Sequence, residues 1–228
     1  MPPFLFSLVE GDLADMNDCS VIVFAKAPVP GQVKTRLVES LGTSGASQLS
    51  EHLAFHTLRT ALGSGVSPVV LWCAPSAEHP FFRRCAEKFN VDLRPQSGGD
   101  LGQRMADAFE QTLKAARAAL LIGTDCPSLT GEDLQEAALV LREKAEAVMV
   151  PTEDGGYVLI GLRRPAPALF ERVPWGTEKV LPETRRRLRN LGWVWHELPV
   201  RWDVDRPEDV ERMIAEGYGA MIPDTLPG

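Results

Sequence analysis

The sequence lacks several features that mark common classes of protein. It has no run of about eighteen apolar residues, the length that a membrane-spanning helix needs, so we expect no membrane span. Basic residues are too few for a nucleic-acid-binding surface, since 24 Lys and Arg stand against 31 Asp and Glu, a net charge of −7. The cysteines have no Cys-x-x-Cys spacing, which indicates neither a zinc site nor a disulfide framework. Their free thiols favour a cytoplasmic protein.

The amino-terminal residues lack the basic start of a signal peptide, because PPFLFSLVEGDL is short and acidic. We therefore interpret residues 1–18 as an N-terminal extension and residues 19–228 as a single domain. A chain of 228 residues is near the upper end of what one α/β core holds. With 44% hydrophobic and 24% charged residues, its composition is that of an ordinary soluble globular protein. The sequence leaves the oligomeric state undefined.

Apolar strands and helical segments alternate along the chain. This alternation predicts an α/β fold, a Rossmann-like three-layer α/β/α sandwich whose mainly parallel sheet is covered by helices on both sides. The turn Asp154-Gly155-Gly156 between two strands predicts a hairpin, which makes the sheet mixed. Strands are predicted at residues 20–26, 68–74, 91–95, 119–123, 147–151, 157–161 and 193–198, and helices at residues 34–40, 44–62, 78–88, 101–117, 131–144, 177–190 and 207–216.

A basic loop containing proline and glycine, KAPVPGQVKTRL, follows the first predicted strand. Its prolines and Gly31 force a tight turn, and Lys34-Thr35-Arg36 follow where a helix would begin. Free backbone N–H groups, a helix N-terminus and two cations in one place form a site for an anion, of which phosphate is the obvious one. The alternative is an ordinary strand–loop–helix connection with solvated cations.

A carboxylate ends the buried strand in LLIGTDCPSLT, residues 120–130. Asp125 lies at the carboxyl end of this strand, which is where open α/β sheets bind their ligands. A carboxylate there is well placed to hold Mg²⁺ or Mn²⁺, since such cations take oxygen ligands and bridge substrate phosphates. The alternative is that Asp125 caps a turn. Thr130 and Asp133 resemble a capping box that opens the next helix.

The turn in PTEDGGYVLIGL has two interpretations. As a plain hairpin it needs no function. In the functional interpretation, Gly155 and Gly156 let a substrate approach the backbone while Asp154 accepts hydrogen bonds from its hydroxyl groups.

Acidic and apolar residues alternate in WDVDRPEDVERM. If the segment is extended, Asp203 and Asp205 point to one face, where a cation would relieve their mutual repulsion. A solvated acidic edge is the alternative.

Six motifs follow one another over nearly the whole chain: AKAPVPGxVKTRL, GDLGQRM, GTDCPxLT, EDGGYxLIGL, WGT and WDVDxPEDV. This ordered set resembles a bacterial family of candidate glycosyltransferases in the nucleotide-diphospho-sugar transferase superfamily, which has the glycosyltransferase A-type fold. The superfamily also includes sugar-nucleotide pyrophosphorylases and guanylyltransferases. The resemblance implies a single α/β domain that binds a nucleotide or nucleotide-sugar donor through a divalent cation, Mg²⁺ or Mn²⁺.

The resemblance also implies roles for individual residues. Lys34 and Arg36 match the phosphate-facing loop and, with Asp125, form the candidate catalytic set. The candidate metal ligands are Asp125, Asp203 and Asp205. The loop in QSGGDLGQRM matches the one that contacts the base or a phosphate, and Asp100 in it also has the character of a helix N-cap. The candidate nucleotide- or substrate-binding residues are Lys26, Ala27, Pro28, Gly31, Thr35, Gly99, Asp100, Gly102, Arg104, Thr124, Asp154, Gly155 and Gly156.

The function implied is that of a metal-dependent transferase with a nucleotide-linked donor, a glycosyltransferase in the preferred interpretation. Because the chain reads Thr-Asp-Cys where many glycosyltransferases have Asp-x-Asp, a guanylyl- or uridylyl-type nucleotidyltransferase that releases pyrophosphate is an alternative. A non-catalytic nucleotide-binding module is a third interpretation. The sequence does not identify the acceptor of the transferred group.

Two other groups of side chains are better explained by structure than by catalysis. Cys126 has no histidine nearby in the sequence to activate it as a nucleophile. His52 and His56 are spaced like metal ligands on a helix, but the sequence lacks the Glu that a zinc-protease motif places between them, so we expect helix packing.

Overall fold

A seven-stranded sheet forms the centre of the described chain, which in this computed structural model comprises residues 18–143 and 145–223. Its strands are β1 (Cys19–Lys26), β2 (Val69–Ala74), β3 (Asp92–Pro95), β4 (Ala118–Ile122), β5 (Ala147–Pro151), β6 (Tyr157–Leu162) and β7 (Trp195–Glu197). They lie in the order β3-β2-β1-β4-β6-β5-β7. Neighbours are parallel except in the pairs that contain β6, so the predicted mainly parallel, mixed sheet is confirmed. Of the predicted extension, residues 1–17 lie outside the described residues.

Helices cover both faces of the sheet. They are α1 (Val38–Gly63), α2 (Pro80–Phe89), α3 (Leu101–Thr112), α4 (Gly131–Glu143), α5 (Val180–Asn190) and α6 (Pro207–Ala215). Successive side chains of a strand point to opposite faces. Val21 and Val23 of β1 therefore lie in a core with residues of α1, α2 and α4, whereas Ile22 and Phe24 lie in a core with residues of α3 and α5. This is the predicted three-layer sandwich.

A third core fixes the acidic WDVD segment. Trp202 and Val204 are buried against Leu41 and Leu49 of α1 and against residues of α6. Because Val204 is fully buried, the backbone on either side of it is held in place, with a carboxylate before it and another after it.

Several element boundaries differ from the prediction. The helix predicted at residues 34–40 is a 3₁₀ turn, Thr35–Leu37, that runs into α1, and α1 is itself broken at Gly42, where φ is 69°. Helix α3 ends at Thr112 and not at residue 117, because the chain turns there to enter β4. Helix α5 begins at Val180 and not at residue 177, since the Thr177 hydroxyl accepts a hydrogen bond from the Lys179 N–H in a local turn. Strand β7 is shorter than predicted.

Candidate active site

The loop after β1 ends in an unusual backbone conformation. Gln32 donates its N–H to the Val29 carbonyl, and Lys26 Nζ donates to the Gln32 carbonyl at 2.7 Å. Lys34 then has left-handed backbone angles, with φ 47°, which are uncommon for a residue other than glycine. Within the described chain, the N–H groups of residues 33–36 donate to no protein acceptor. The anion site expected here therefore rests on loop amides and cations, and not on the N-terminus of a regular α-helix.

Lys34 joins three segments that the sequence analysis identified separately. Its Nζ lies 2.6 Å from Asp125 Oδ1 at the end of β4, and it also donates to the Val204 carbonyl. The Val204 N–H in turn bonds to the Asp125 carbonyl at 2.8 Å. The Lys34 side chain is only 5% exposed, whereas that of Asp125 is 55% exposed. A ligand can therefore reach the carboxylate of this pair more easily than the ammonium group.

A second ion pair lies beside the first. Arg36 Nη1 contacts Asp205 Oδ2, and both side chains are well exposed. Asp205 thus faces the basic loop, whereas Asp203 faces other carboxylates. The two residues do not share one environment, although the alternation in WDVD predicts that they share a face.

Asp203 lies near two other carboxylates, those of Asp125 and Asp154. Burial raises the pKa of Asp203 to about 6, and the negative charges of Asp154 and Asp125 add to this effect. Asp154 Oδ1 accepts hydrogen bonds from the Thr152 hydroxyl and the Gly156 N–H. The turn predicted at Asp154 is therefore present, and its carboxylate is close enough to act on Asp203.

Two clefts meet at Asp125. The first, which we call the nucleotide cleft after the ligand expected from the sequence, has a volume of about 590 Å³ and lies beyond the carboxyl ends of β1, β2 and β4. The acidic cleft, of about 340 Å³, lies over β6 and the loop before α5. Because β2 and β4 flank β1 on opposite sides, the loop after β1 and Asp125 stand at a topological switch point of the sheet, which is where ligands bind in open α/β folds.

The predicted site residues fall into three groups. Those that line the nucleotide cleft are Lys26, Lys34, Arg104, Thr124, Asp125 and Asp205. Those that line the acidic cleft are Asp125, Asp154, Gly156 and Asp203. Those that line neither cleft are Ala27, Pro28, Gly31, Thr35, Arg36, Gly99, Asp100, Gly102 and Gly155.

The loop after β3 contributes a residue that sequence reasoning missed. Gln96 Nε2 donates to the carbonyls of Ala25 and Trp72, while its Oε1 accepts from Arg104 Nη1 at 3.3 Å. Gln96 thereby connects β1 and β2 at the floor of the nucleotide cleft and holds Arg104 toward it. Its position directly after the end of β3 is the sequence feature that could have identified it as a site residue. Asp100 is the predicted N-cap of α3, in a capping box with Gln103.

The acidic cleft has an aromatic wall that the sequence analysis also missed. Tyr157 and Trp175 line it with their ring centroids 6.5 Å apart, and Thr177 lies at its edge. The motif Trp-Gly-Thr was the available signal, although no role was assigned to it.

Packing explains Gly102. A Cβ at this position would lie 2.2 Å from the Phe170 carbonyl oxygen and 3.0 Å from Trp175 Nε1. Gly155 is similarly enclosed, since its φ is 87° and a Cβ there would lie 2.6 Å from the Glu178 carbonyl oxygen. These glycines allow α3 and the hairpin to approach the loop between β6 and α5, which forms one side of the acidic cleft.

Gly102→Ala is accordingly expected to lower the free energy of unfolding by about 1–3 kcal/mol, because a backbone carbonyl cannot move away as a flexible side chain can. Urea unfolding of the variant and the parent protein measures the loss. Gly63→Ala is the matched control, since a Cβ at Gly63 meets nothing within 4 Å. An equal midpoint for Gly102→Ala and Gly63→Ala would contradict the packing account.

Neither Cys126 nor the two helical histidines have the environment of a catalytic group. Burial raises the pKa of the Cys126 thiol to about 11, which keeps it protonated and unreactive. His52 Nδ1 lies 2.7 Å from the Met221 carbonyl oxygen, and His56 Nε2 lies 3.0 Å from that of Pro127. The histidines thus connect α1 to other segments, in agreement with the packing interpretation. All four cysteines are buried free thiols.

The side chains that face the site are suited to a hard cation but do not enclose one. Asp125 and Asp203 supply carboxylate oxygens, the ligands that Mg²⁺ and Mn²⁺ prefer. No group of three His, Cys, Asp or Glu side chains in the described ranges could hold a metal ion. Magnesium in proteins is commonly bound by one or two carboxylates together with substrate phosphates. The residues present therefore fit a cation that is shared with a phosphorylated ligand.

The fold and the site define an α/β protein with the nucleotide-diphospho-sugar transferase fold. Residues 57–177 match the family DUF2064, described as uncharacterized proteins conserved in bacteria, and because this is more than half of the chain, the protein belongs to that family. The expected likeness to a bacterial nucleotide-diphospho-sugar transferase family is thereby confirmed.

Solved structures of transferases share the fold. A candidate nucleotide-diphospho-sugar transferase from Desulfovibrio desulfuricans G20 is 25% identical, with a TM-score of 0.77 over 90% of this chain and 97% of the other. The 4-diphosphocytidyl-2C-methyl-D-erythritol synthase of Anaerococcus prevotii DSM 20548 is 13% identical, with a TM-score of 0.58 over 90% of this chain and 100% of the other. Glucosyl-3-phosphoglycerate synthase from Mycobacterium tuberculosis, solved with Mn²⁺ and UDP, is 12% identical, with a TM-score of 0.55 over 98% of this chain and 88% of the other.

No curated protein matches the chain. Within the described residues, no helix is both long and apolar enough to cross a membrane.

Proposed function

We propose that this protein is a metal-dependent glycosyltransferase that takes a sugar from a nucleotide-diphospho-sugar. The observation that carries the proposal is the meeting of two clefts of different character at Asp125. One is lined by the cations Lys26, Lys34 and Arg104 as well as by Asp205, whereas the charged groups of the other are all carboxylates, which lie beside aromatic rings. A nucleotide-diphospho-sugar likewise has two parts, a charged diphosphate and a sugar ring with hydroxyl groups.

The nucleotide cleft suits the nucleoside diphosphate. Its position at the switch point agrees with the usual ligand position in open α/β sheets. Lys34, paired with Asp125, and Arg36, paired with Asp205 at the edge of this cleft, are charged donors, and the free loop amides of residues 33–36 add neutral donors. Charge-assisted hydrogen bonds to phosphate oxygens are the strong ones.

The cation would be held by Asp125 together with Asp203 or Asp205, in the second case after Asp205 has left Arg36. When bound, such a cation neutralises negative charge on the leaving diphosphate. Without it, Lys34 already neutralises Asp125, and Arg36 neutralises Asp205. We therefore expect free metal to bind weakly. In the complex, the carboxylates would turn to the cation and the two basic side chains to the phosphates.

The chemical step follows from this arrangement. The acceptor hydroxyl oxygen attacks the anomeric carbon of the sugar and releases its proton to water. The bond from that carbon to the phosphate oxygen breaks, and its electron pair leaves with the nucleoside diphosphate. Lys34 and Arg36 act by stabilising the charge that grows on this leaving group.

Nucleotidyl transfer is the second candidate function, because the same nucleotide cleft would bind a nucleoside triphosphate and because a synthase that forms a cytidine diphosphate derivative shares the fold. The acidic cleft favours glycosyl transfer. A nucleotidyl acceptor that attacks with a phosphate oxygen would have to enter beside three carboxylates.

A thermal-shift panel of nucleoside triphosphates and sugar nucleotides, with and without Mn²⁺, tests binding, and a product assay then separates the candidates. Release of nucleoside diphosphate is expected for glycosyl transfer. Release of pyrophosphate would establish nucleotidyl transfer, and binding without either product across donors and acceptors would indicate a non-catalytic module.

Asp203 makes the free energy of unfolding of the protein depend on pH. Its pKa rises from 3.8 to about 6 on folding, so the folded state holds the proton more tightly and loses stability as the pH rises through this range. At about 1.4 kcal/mol per pKa unit, the ionised carboxylate costs up to about 3 kcal/mol above pH 6. Asp203→Asn is therefore expected to raise the thermal midpoint at pH 7.5 without metal, and to raise it only about half as much at pH 5.

Thermal unfolding at both pH values measures this difference. The matched control is Asp92→Asn, which changes an exposed carboxylate at the start of β3. A shift of the same size at pH 5 and pH 7.5 would show that ionised Asp203 does not destabilise the fold.

A further inference from the structure

The acidic cleft contains no basic side chain among the described residues that line it. Its charged groups are the carboxylates of Asp125, Asp154 and Asp203. Lys34 does reach Asp203 electrostatically from the nucleotide cleft. Its ammonium group is, however, already held by Asp125 and the Val204 carbonyl. When the proposed cation is bound, its charge is balanced by the carboxylates that hold it and by the diphosphate, and Asp154 still has no basic partner among the residues that line the cleft. An anionic group in the acidic cleft would therefore still meet negative charge.

The rest of the lining is suited to a ring with hydroxyl groups. Tyr157 and Trp175 present aromatic surface beside the carboxylates. Aromatic side chains that carry a polar group suit ligands that have both apolar and hydrated parts. Asp154 uses Oδ1 within its own turn. Its other carboxylate oxygen is an acceptor of the kind that sugar hydroxyls need.

The position of Asp125 connects this cleft to the donor. Asp125 lines both clefts, so a diphosphate held beside it in the nucleotide cleft directs the attached group into the acidic cleft. We propose that this transferred group is an uncharged, hydroxyl-rich sugar, and that the acidic cleft rejects sugars that carry a carboxylate. This inference rests on the proposed function, because it takes the diphosphate position from it.

Matched donors test the inference. UDP-glucose and UDP-glucuronate differ only in the oxidation state of the sugar C6, and the GDP-mannose and GDP-mannuronate pair offers the same comparison for guanosine. With Mn²⁺ present, calorimetry should give at least ten-fold weaker binding for the uronic acid member of whichever pair binds. UDP and GDP alone measure the contribution of the nucleotide cleft.

Thr177→Lys provides a second, independent measurement. Thr177 is exposed at the edge of the acidic cleft, so a lysine there would supply the missing cation. The variant is expected to reduce the preference for the neutral sugar to less than three-fold, while the matched variant Thr177→Gln keeps it. Equal binding of both sugars by the parent protein, with UDP or GDP also binding, would overturn this inference alone. If neither nucleoside diphosphate binds, the proposed function fails, and the inference fails with it.

Discussion

Replacing both Lys34 and Arg36 with alanine is expected to weaken nucleotide binding by between one and several factors of ten. Each charge-assisted contact to a phosphate contributes roughly 1.5–3 kcal/mol, and about 1.4 kcal/mol corresponds to a factor of ten in affinity. The double variant also leaves Asp125 and Asp205 without their basic partners, so the site becomes more negative and repels the phosphates.

The two single variants separate binding from folding. The Lys34 side chain is buried and supports the Val204 carbonyl, so Lys34→Ala should lower stability as well as affinity. The Arg36 side chain is 60% exposed, so Arg36→Ala should lower affinity with little change in the thermal midpoint.

Arg84→Ala is the matched control for Arg36→Ala. The Arg84 side chain is 53% exposed and pairs with Glu51, away from both clefts. Isothermal titration with UDP and GDP in the presence of Mn²⁺ gives the affinities. Parent-like affinity in a folded Lys34→Ala/Arg36→Ala protein would remove the loop after β1 from the binding site.

The sequence predicted the fold well because its signals are local and repeated. The alternation of apolar strands with helices, and the turn at residues 154–156, are sufficient for a mixed three-layer sandwich. Boundaries failed where a single hydrogen bond decides them, as at Thr177. The break predicted between the helices at residues 34–40 and 44–62 is present, at Gly42.

The candidate site was predictable only in part. The sequence placed Asp125 at one strand end and Lys34 in the loop after another strand. The two lie close together because β1 and β4 are adjacent parallel strands, whose carboxyl ends share one edge of the sheet. The alternation in WDVD could not show that Asp203 and Asp205 face different partners. That separation depends on Val204, whose backbone is bonded to both Lys34 and Asp125, and such contacts join residues about 80 to 170 positions apart. Gln96 and Trp175 were missed because their roles arise only from the assembled clefts.

Loss of metal-dependent nucleotide binding is the expected result of Asp125→Asn. The amide keeps the shape of the side chain but removes the charge that would hold the cation, and it also removes the partner of Lys34. We expect the fold to survive, since the carboxylate is 55% exposed and the Asp125 carbonyl, which accepts from Val204, is unchanged. Of the late acidic pair, Asp205→Asn is expected to have the larger effect on nucleotide binding, because Asp205 lines the nucleotide cleft.

Titration of Mn²⁺ with and without saturating nucleoside diphosphate tests the central claim most directly. It compares the parent protein, Asp125→Asn and the control Asp92→Asn, which lies at the start of β3. For the parent and the control, we predict that Mn²⁺ and the nucleotide each strengthen the binding of the other at least ten-fold, and that Asp125→Asn abolishes this coupling. If Asp125→Asn binds metal and nucleotide as the parent does, Asp125 is a turn-capping residue and the assignment of the active site is wrong.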